Sequence, residues 1–162
     1  MTYLPYPEAR YRGESGETSA RLRGADAAPE ITNPSGTTVH YLATGASTDG
    51  LLGLYRWELG PGRGGPDPHF HRSITESFYV LSGTIRLHDG SDWVDGRPGD
   101  FLYVPQGGVH GFRNESGESA SMLILFTPGA PREDYFERVA TTSAMTEEER
   151  AEFFLRHDTF WV

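Results

Sequence analysis

Three histidines and one glutamate in this chain have types and spacings that suit a single metal ion. His69, His71 and Glu76 lie in PHFHRSITESFYVLSG, and His110 lies in GDFLYVPQGGVHGFRN, about forty residues on. A lone histidine carries little information, because it is more often a satisfied core or surface residue than a ligand. Four groups able to converge are different. In an extended strand, residues i and i+2 share a face, so His69 and His71 can aim two imidazoles at one point. The four residues between His71 and Glu76 are enough for a turn that brings a carboxylate from the next strand back to the same place. Imidazole nitrogens with one carboxylate oxygen form a borderline-hard set suited to a divalent transition metal: Fe, Ni, Mn, Co, Cu or Zn.

Those side chains need a rigid β framework, and the surrounding sequence reads as one. From Thr37 onward, short β-rich runs alternate with Gly, Pro, Asp and Ser, the signature of an all-β sandwich or barrel. Strands are predicted over 37–44, 51–59, 69–72, 76–81, 84–88, 91–94, 101–104, 109–114 and 119–127, with GASTDG as a hairpin-like turn. On this reading Glu76, Phe78 and Val80 share one side of a strand, and His110, Phe112 and Asn114 share one side of another. Residues 1–36, rich in Pro, Gly, Glu, Arg and Ser, read as an N-terminal arm. A rival reading has the arm crossing a neighbouring subunit, held by Tyr3, Leu4, Tyr6, Tyr11 or Ile31. Residues 128–162 read as a helical segment that packs outside the barrel or over one end. Pro131 stands near its first helix start, with Tyr135, Phe136 and Val139 on one face. Thr146 with Glu149 forms a capping box for a second helix, and Phe153, Phe154, Leu155, Phe160, Trp161 and Val162 supply apolar docking surface.

The two histidine segments also resemble the paired motifs of the cupin superfamily. The first runs His69, His71, Glu76, Gly83 at the family's spacing; the second matches at Gly99, Pro105, Gly107, His110 and Asn114. One departure stands at the opening glycine of the first motif, where this chain has Arg63, flanked by Gly62, Gly64 and Gly65. The resemblance spans roughly 37–127. It implies a single cupin jelly-roll barrel, with a metal held by His69, His71, Glu76 and His110. It does not imply one reaction. The first expectation is a dioxygenase similar to the small single-domain, quercetin-dioxygenase-like members, acting on an enolisable or phenolic small molecule, with Glu76 either a ligand or alternating between ligand and catalytic base. Because cupins include isomerases, cyclases, decarboxylases and non-catalytic binding proteins, those readings stay open beside it. A homodimer is implied by the same analogy.

Composition narrows the partners. At 162 residues the chain is one domain on length, and its net charge of −9 argues against nucleic acid or an anionic membrane surface. Without a membrane-length apolar run or a secretory pattern at the amino terminus, the expectation is a cytoplasmic protein binding a small molecule, and the chain's aromatic richness favours an apolar or aromatic one. Cysteine and lysine are both absent, which removes disulfides, thiolate ligands and Schiff-base chemistry. GPGRGGP lacks the GK[ST] ending of a phosphate loop, and no GxSxG elbow occurs. His40, His88 and His157 are isolated and read as surface or structural. Asn114-Glu-Ser116 fits a glycosylation acceptor, but the motif explains Asn114 better. Tyr55, Trp57, Tyr79, Tyr103 and Phe126 are pocket-lining candidates, some of them ordinary strand aromatics whose facing alternation cannot decide.

Overall fold

Period-two burial decides which face each long strand turns inward. In β5 (Thr75–Ser82), Glu76, Phe78 and Val80 are buried, while Tyr79 and Leu81 face out. β10 (Ala120–Thr127) buries Met122, Ile124 and Phe126 in the same rhythm, and β3 (Gly53–Leu59) buries Tyr55 and Leu59. The computed structural model describes residues 3–62 and 64–162, and over these the strands form a six-stranded and a three-stranded sheet that share one core, with a two-stranded pair beside them.

The larger sheet also takes in β1 (Ile31–Thr32), β2 (Thr38–Ala43) and β8 (Phe101–Val104), giving the order β1-β2-β3-β10-β5-β8, all antiparallel. The three-stranded sheet combines β6 (Ile85–His88), β7 (Trp93–Gly96) and β9 (Gly111–Arg113) in the order β7-β6-β9. β4 (His69–Phe70) joins it through one bridge, in which His69 and His110 exchange backbone hydrogen bonds of 2.9 Å in both directions. Between the sheets Phe78, Val80, Ile85, Leu87, Met122 and Ile124 form the centre of the core. Truncating Phe78 to alanine there would cost about 3–5 kcal/mol. This is the jelly-roll fold that the motifs imply.

Two glycines matter to the site's framework. Gly107 has φ +80 and donates its N–H to the His71 carbonyl at 2.7 Å, tying the loop before His110 to the loop after His69. Gly65, at φ +130, passes so close to Phe112 that a Cβ would sit 1.9 Å from its carbonyl oxygen. Its neighbour Gly64 bridges Asn114. Arg63, at the motif's variant position, lies outside the described residues. Asn114 is buried, donating to the Gly60 and Glu118 carbonyls at 2.8 and 2.7 Å and accepting from Ser116. The motif asparagine therefore binds two loops together.

Beyond β10 come α1 (Arg132–Arg138), a 3-10 turn, and α2 (Glu147–Arg156), whose capping box forms as its sequence predicts. Phe136 on α1 packs edge-on against Tyr55 and Trp57, at centroid distances of 5.1 and 5.2 Å. Glu133 and Glu137 accept hydrogen bonds from the hydroxyls of Tyr55 and Tyr41, which pins the helix to the sheet.

Several boundaries differ from the sequence reading. The chain ends in a strand, β11 (Phe160–Trp161), which pairs Trp161 with His69 and Phe160 with Phe70. Apolar periodicity marked this tail as sticky but could not show that a strand edge awaited it. GASTDG contains a short 3-10 turn, Ala46–Thr48. β7 starts two residues late because Asp89 Oδ1 accepts from the Ser91 and Asp92 N–H groups and lengthens the preceding turn. Ile31 pairs with Val39, whereas Tyr3, Leu4, Tyr6 and Tyr11 are exposed in the single chain.

Candidate metal centre

The four side chains singled out by spacing meet inside the shell. His69, His71, Glu76 and His110 are 4, 2, 5 and 1 % exposed. Each offers a ligand atom, and these atoms all lie within 4.8 Å of one another. β4 supplies His69, and β5 supplies Glu76 from the six-stranded sheet. His110 enters one residue before β9, at its bridge with His69. His71 arrives differently from the expectation of a strand over 69–72, because β4 ends at Phe70. The chain turns away there because the Asp158 carboxylate accepts from the Arg72 and Ser73 N–H groups, at 3.0 and 2.8 Å. The His71 ring nevertheless stays 5.1 Å from that of His69.

Each histidine has its Nδ1 against a main-chain carbonyl. His69 Nδ1–H donates to Asp67 at 2.8 Å, His71 to Asp158 at 2.6 Å and His110 to Gly108 at 2.9 Å. A carbonyl only accepts, so the proton belongs on Nδ1 and the Nε2 lone pair is left for a ligand. Two of those lone pairs face a carboxylate: His71 Nε2 and His110 Nε2 lie 3.1 and 2.7 Å from Glu76 Oε2. Acceptor facing acceptor is repulsive unless a cation, either a proton or a metal ion, sits between them. The donor chemistry of the cluster thus fits a divalent metal.

The electrostatics follow from the same geometry. Burial pushes the His69 pKa down to about 4, with His110 adding to the effect, so this imidazole is neutral at ordinary pH. Burial alone would raise Glu76; His110 and His71 overcome it and hold the carboxyl well below its usual range. His110 is pushed down by burial, and the Glu76 charge lifts it above its usual value on balance.

The cluster opens on a cavity of about 560 Å³, which His69 and Glu76 line together with Trp57, Phe112, Phe126, Phe136 and Trp161. Of the aromatic candidates, Trp57 and Phe126 face this space. Tyr79 and Tyr103 do not: they are 42 and 57 % exposed on the outer face of β5 and β8. Tyr55 is buried in the core, with its hydroxyl committed to Glu133. His40 and His157 are buried and serve structure, His157 by donating Nδ1–H to the Phe153 carbonyl at 2.8 Å and meeting Asp134. His88 packs edge-on against Trp93. Of the two carboxyl-terminal helices, α1 contributes to the cavity wall, through Arg132, Tyr135 and Phe136. Sequence reasoning overlooked Arg132 and Asp158. Asp158 orients His71 through its main-chain oxygen, which leaves no trace in residue type. Arg132 had a weak signal, an arginine at a helix start where acidic residues are favoured.

Comparison with known proteins agrees with this geometry. The family model described as a cupin domain matches residues 55–126. Quercetin 2,3-dioxygenase of Bacillus subtilis is 32% identical over 135 residues, covering 80% of this chain and 34% of that protein, so the chain spans about a third of that relative's length. Among solved structures, the polyketide cyclase RemF of Streptomyces resistomycificus is 26% identical with a TM-score of 0.56, over 69% of this chain and 81% of the other. KdgF from Halomonas sp. shares the fold at 17% identity and a TM-score of 0.59, over 70% of this chain and 97% of that one. By its matched domain, its two motifs and its paired sheets, the chain carries a cupin domain over residues 55–126.

Proposed function

We propose that this protein is a metal-dependent cupin enzyme, a dioxygenase acting on an enolisable or phenolic small molecule. The observation that carries the reading is the cluster itself: four buried ligand atoms within 4.8 Å, opening on an aromatic-walled cavity. His69, His71, Glu76 and His110 would hold the ion. A divalent transition metal bound there supplies Lewis-acid or redox chemistry to an oxygen of the bound molecule. The chain does the rest. Its three backbone carbonyls fix the imidazole tautomers and aim the Nε2 atoms. The aromatic wall excludes water and seats a flat ligand. Glu76 meets both imidazoles through Oε2, which leaves Oε1 to take the proton of an enol or phenol as general base. The likeness to quercetin 2,3-dioxygenase supports the oxidative assignment.

The likeness to RemF, a polyketide cyclase, favours a second reading, redox-neutral turnover at the same cluster. Metal analysis of protein purified without added metal, followed by an oxygen-electrode screen of enolisable and phenolic compounds, separates the two. Oxygen uptake with Fe, Ni or Mn bound supports the dioxygenase; turnover without oxygen, with zinc bound, supports the cyclase-like reading. Protein lacking any metal would sink both. Glu76→Gln should keep the fold and lower turnover by about 100-fold or more, in the range of a lost general base. Unchanged kinetics would remove Glu76 from the chemistry.

A homodimer is part of the proposal. The outward Tyr79, Phe101 and Tyr103, neighbours across β5 and the sheet-edge strand β8, support it, since an exposed aromatic edge favours pairing with a second copy. Light scattering that returned the monomer mass would refute it. No helix among the described residues is long and apolar enough to cross a membrane.

A further inference from the structure

The cavity holds a second charged group that the metal cluster does not use. Arg132, at the start of α1, is 4 % exposed and lines the same cavity as His69 and Glu76. A guanidinium has five N–H donors in a planar fork. Here Nη1 donates to the His157 carbonyl at 2.7 Å, while Nε–H is buried without a partner. No carboxylate among the described residues forms an ion pair with it. Its charge rests over the rings of Tyr135 and Phe126, at 4.3 and 5.2 Å from their centroids. Anchoring α2's end to α1 would need only the one bond that Nη1 makes. A neutral donor could do that without burying a cation, which is costly when unpaired.

Charge balance points the same way. With a divalent ion held there, three neutral imidazoles and one carboxylate would leave one positive charge, and Arg132 would add a second inside the same apolar walls. The Glu76 carboxylate is already shared between two imidazoles through Oε2. An incoming anion would meet this surplus and supply the acceptor that Nε–H lacks.

We infer that Arg132 is an anion-binding residue of the cavity and that the ligand is a small acid, whose carboxylate meets the guanidinium while its enolic or phenolic oxygen faces the histidine–glutamate cluster. The second half of this inference and the charge balance rest on the functional reading above; the buried guanidinium with its unpartnered Nε–H does not. Burial, which depresses the Arg132 pKa, does not bring it near neutrality, because arginine stays protonated at any ordinary pH. Trp57, Phe112 and Phe126 give the body of such an acid a flat apolar seat.

Salicylate and salicylamide test this, being alike in shape and differing in charge. Their binding to the full chain is measured by calorimetry, with zinc loaded and with metal removed. Wild type should bind salicylate about tenfold or more tightly than salicylamide in both forms, the range of a charge-assisted hydrogen bond. Arg132→Gln should erase the preference without changing zinc content. Arg132→Lys, which keeps the charge and loses the fork, should retain part of it. Equal binding of the two probes by wild type overturns the inference, as does no binding of salicylate at millimolar concentration. So does a preference that survives in Arg132→Gln, or one that appears only with zinc bound, since the metal alone would then select the anion. If Arg132→Gln fails to fold, Arg132→Lys decides, and a salicylate affinity unchanged from wild type overturns the inference. If wild type takes up no zinc, the metal reading fails, and the metal-free comparison still decides the role of Arg132.

Discussion

The β-shell and the carboxyl-terminal tail meet at the same cluster but give it different things. The shell gives side-chain donors: His69, Glu76 and His110 project from different sheets. The tail gives main-chain and second-layer contacts. The Asp158 carbonyl accepts from His71 Nδ1–H, its carboxylate caps the turn after His71, and Trp161 pairs in register with His69. The difference teaches that ligand identity and ligand orientation are separable here. The first is written in residues 69–110, and the second depends on a segment close to the chain's end.

Breaking the shell's part should have the largest effect. His69→Ala or His110→Ala removes a donor outright, and metal content measured by elemental analysis should fall to background. Full occupancy in both variants would refute the ligand set. Breaking the tail's part should be milder. Deleting residues 158–162 leaves all four donors but frees His71 Nδ1–H, and metal affinity should fall about 10–100-fold, as for other outer-layer partners of metal-bound histidines. An unchanged affinity in a competition titration with a chelator would show that the tail merely covers the site.

Acidification sharpens the comparison by acting on the donors themselves. The metal needs neutral imidazoles and an ionised carboxylate, so falling pH adds protons that compete with it, and metal content should decline from about pH 8 to about pH 4. His110, lifted above its usual value by Glu76, takes a proton before His69, which burial holds down to about 4. A metal content that rose on acidification would contradict the site. The smallest effect belongs to the helix that carries the tail. Thr146→Ala removes the cap of α2 and should cost about 1 kcal/mol in chemical denaturation, with metal content unchanged. A loss of metal in that variant would mean that α2 and the cluster are coupled far more tightly than their contacts suggest.

Much of the site was legible because its chemistry needs rare residue types at fixed intervals. Two histidines two apart, a glutamate a turn later and a histidine before a strand can meet only if the strands close on one another, and they do. The larger strands were legible for a simpler reason: β-branched and aromatic runs broken by Gly and Asp turns leave few other options. Facing was less legible. Tyr55 and Tyr79 look equivalent as strand aromatics, yet one is fully buried and the other exposed, because register is set by neighbours across the sheet. His71 was read onto the strand of His69, and it sits beyond the strand because a distant carboxylate bends the chain.

By itself, the sequence determined the candidate donor set, the β architecture and the cap of the last helix, since each rests on residue type and local spacing. Only the tertiary structure decided that β11 would close against β4, that Asp158 would orient a histidine 87 positions earlier, and that Arg132 would enter the cavity. Those contacts join segments far apart in the chain, through backbone oxygens and burial, and neither leaves a pattern that residue order can display.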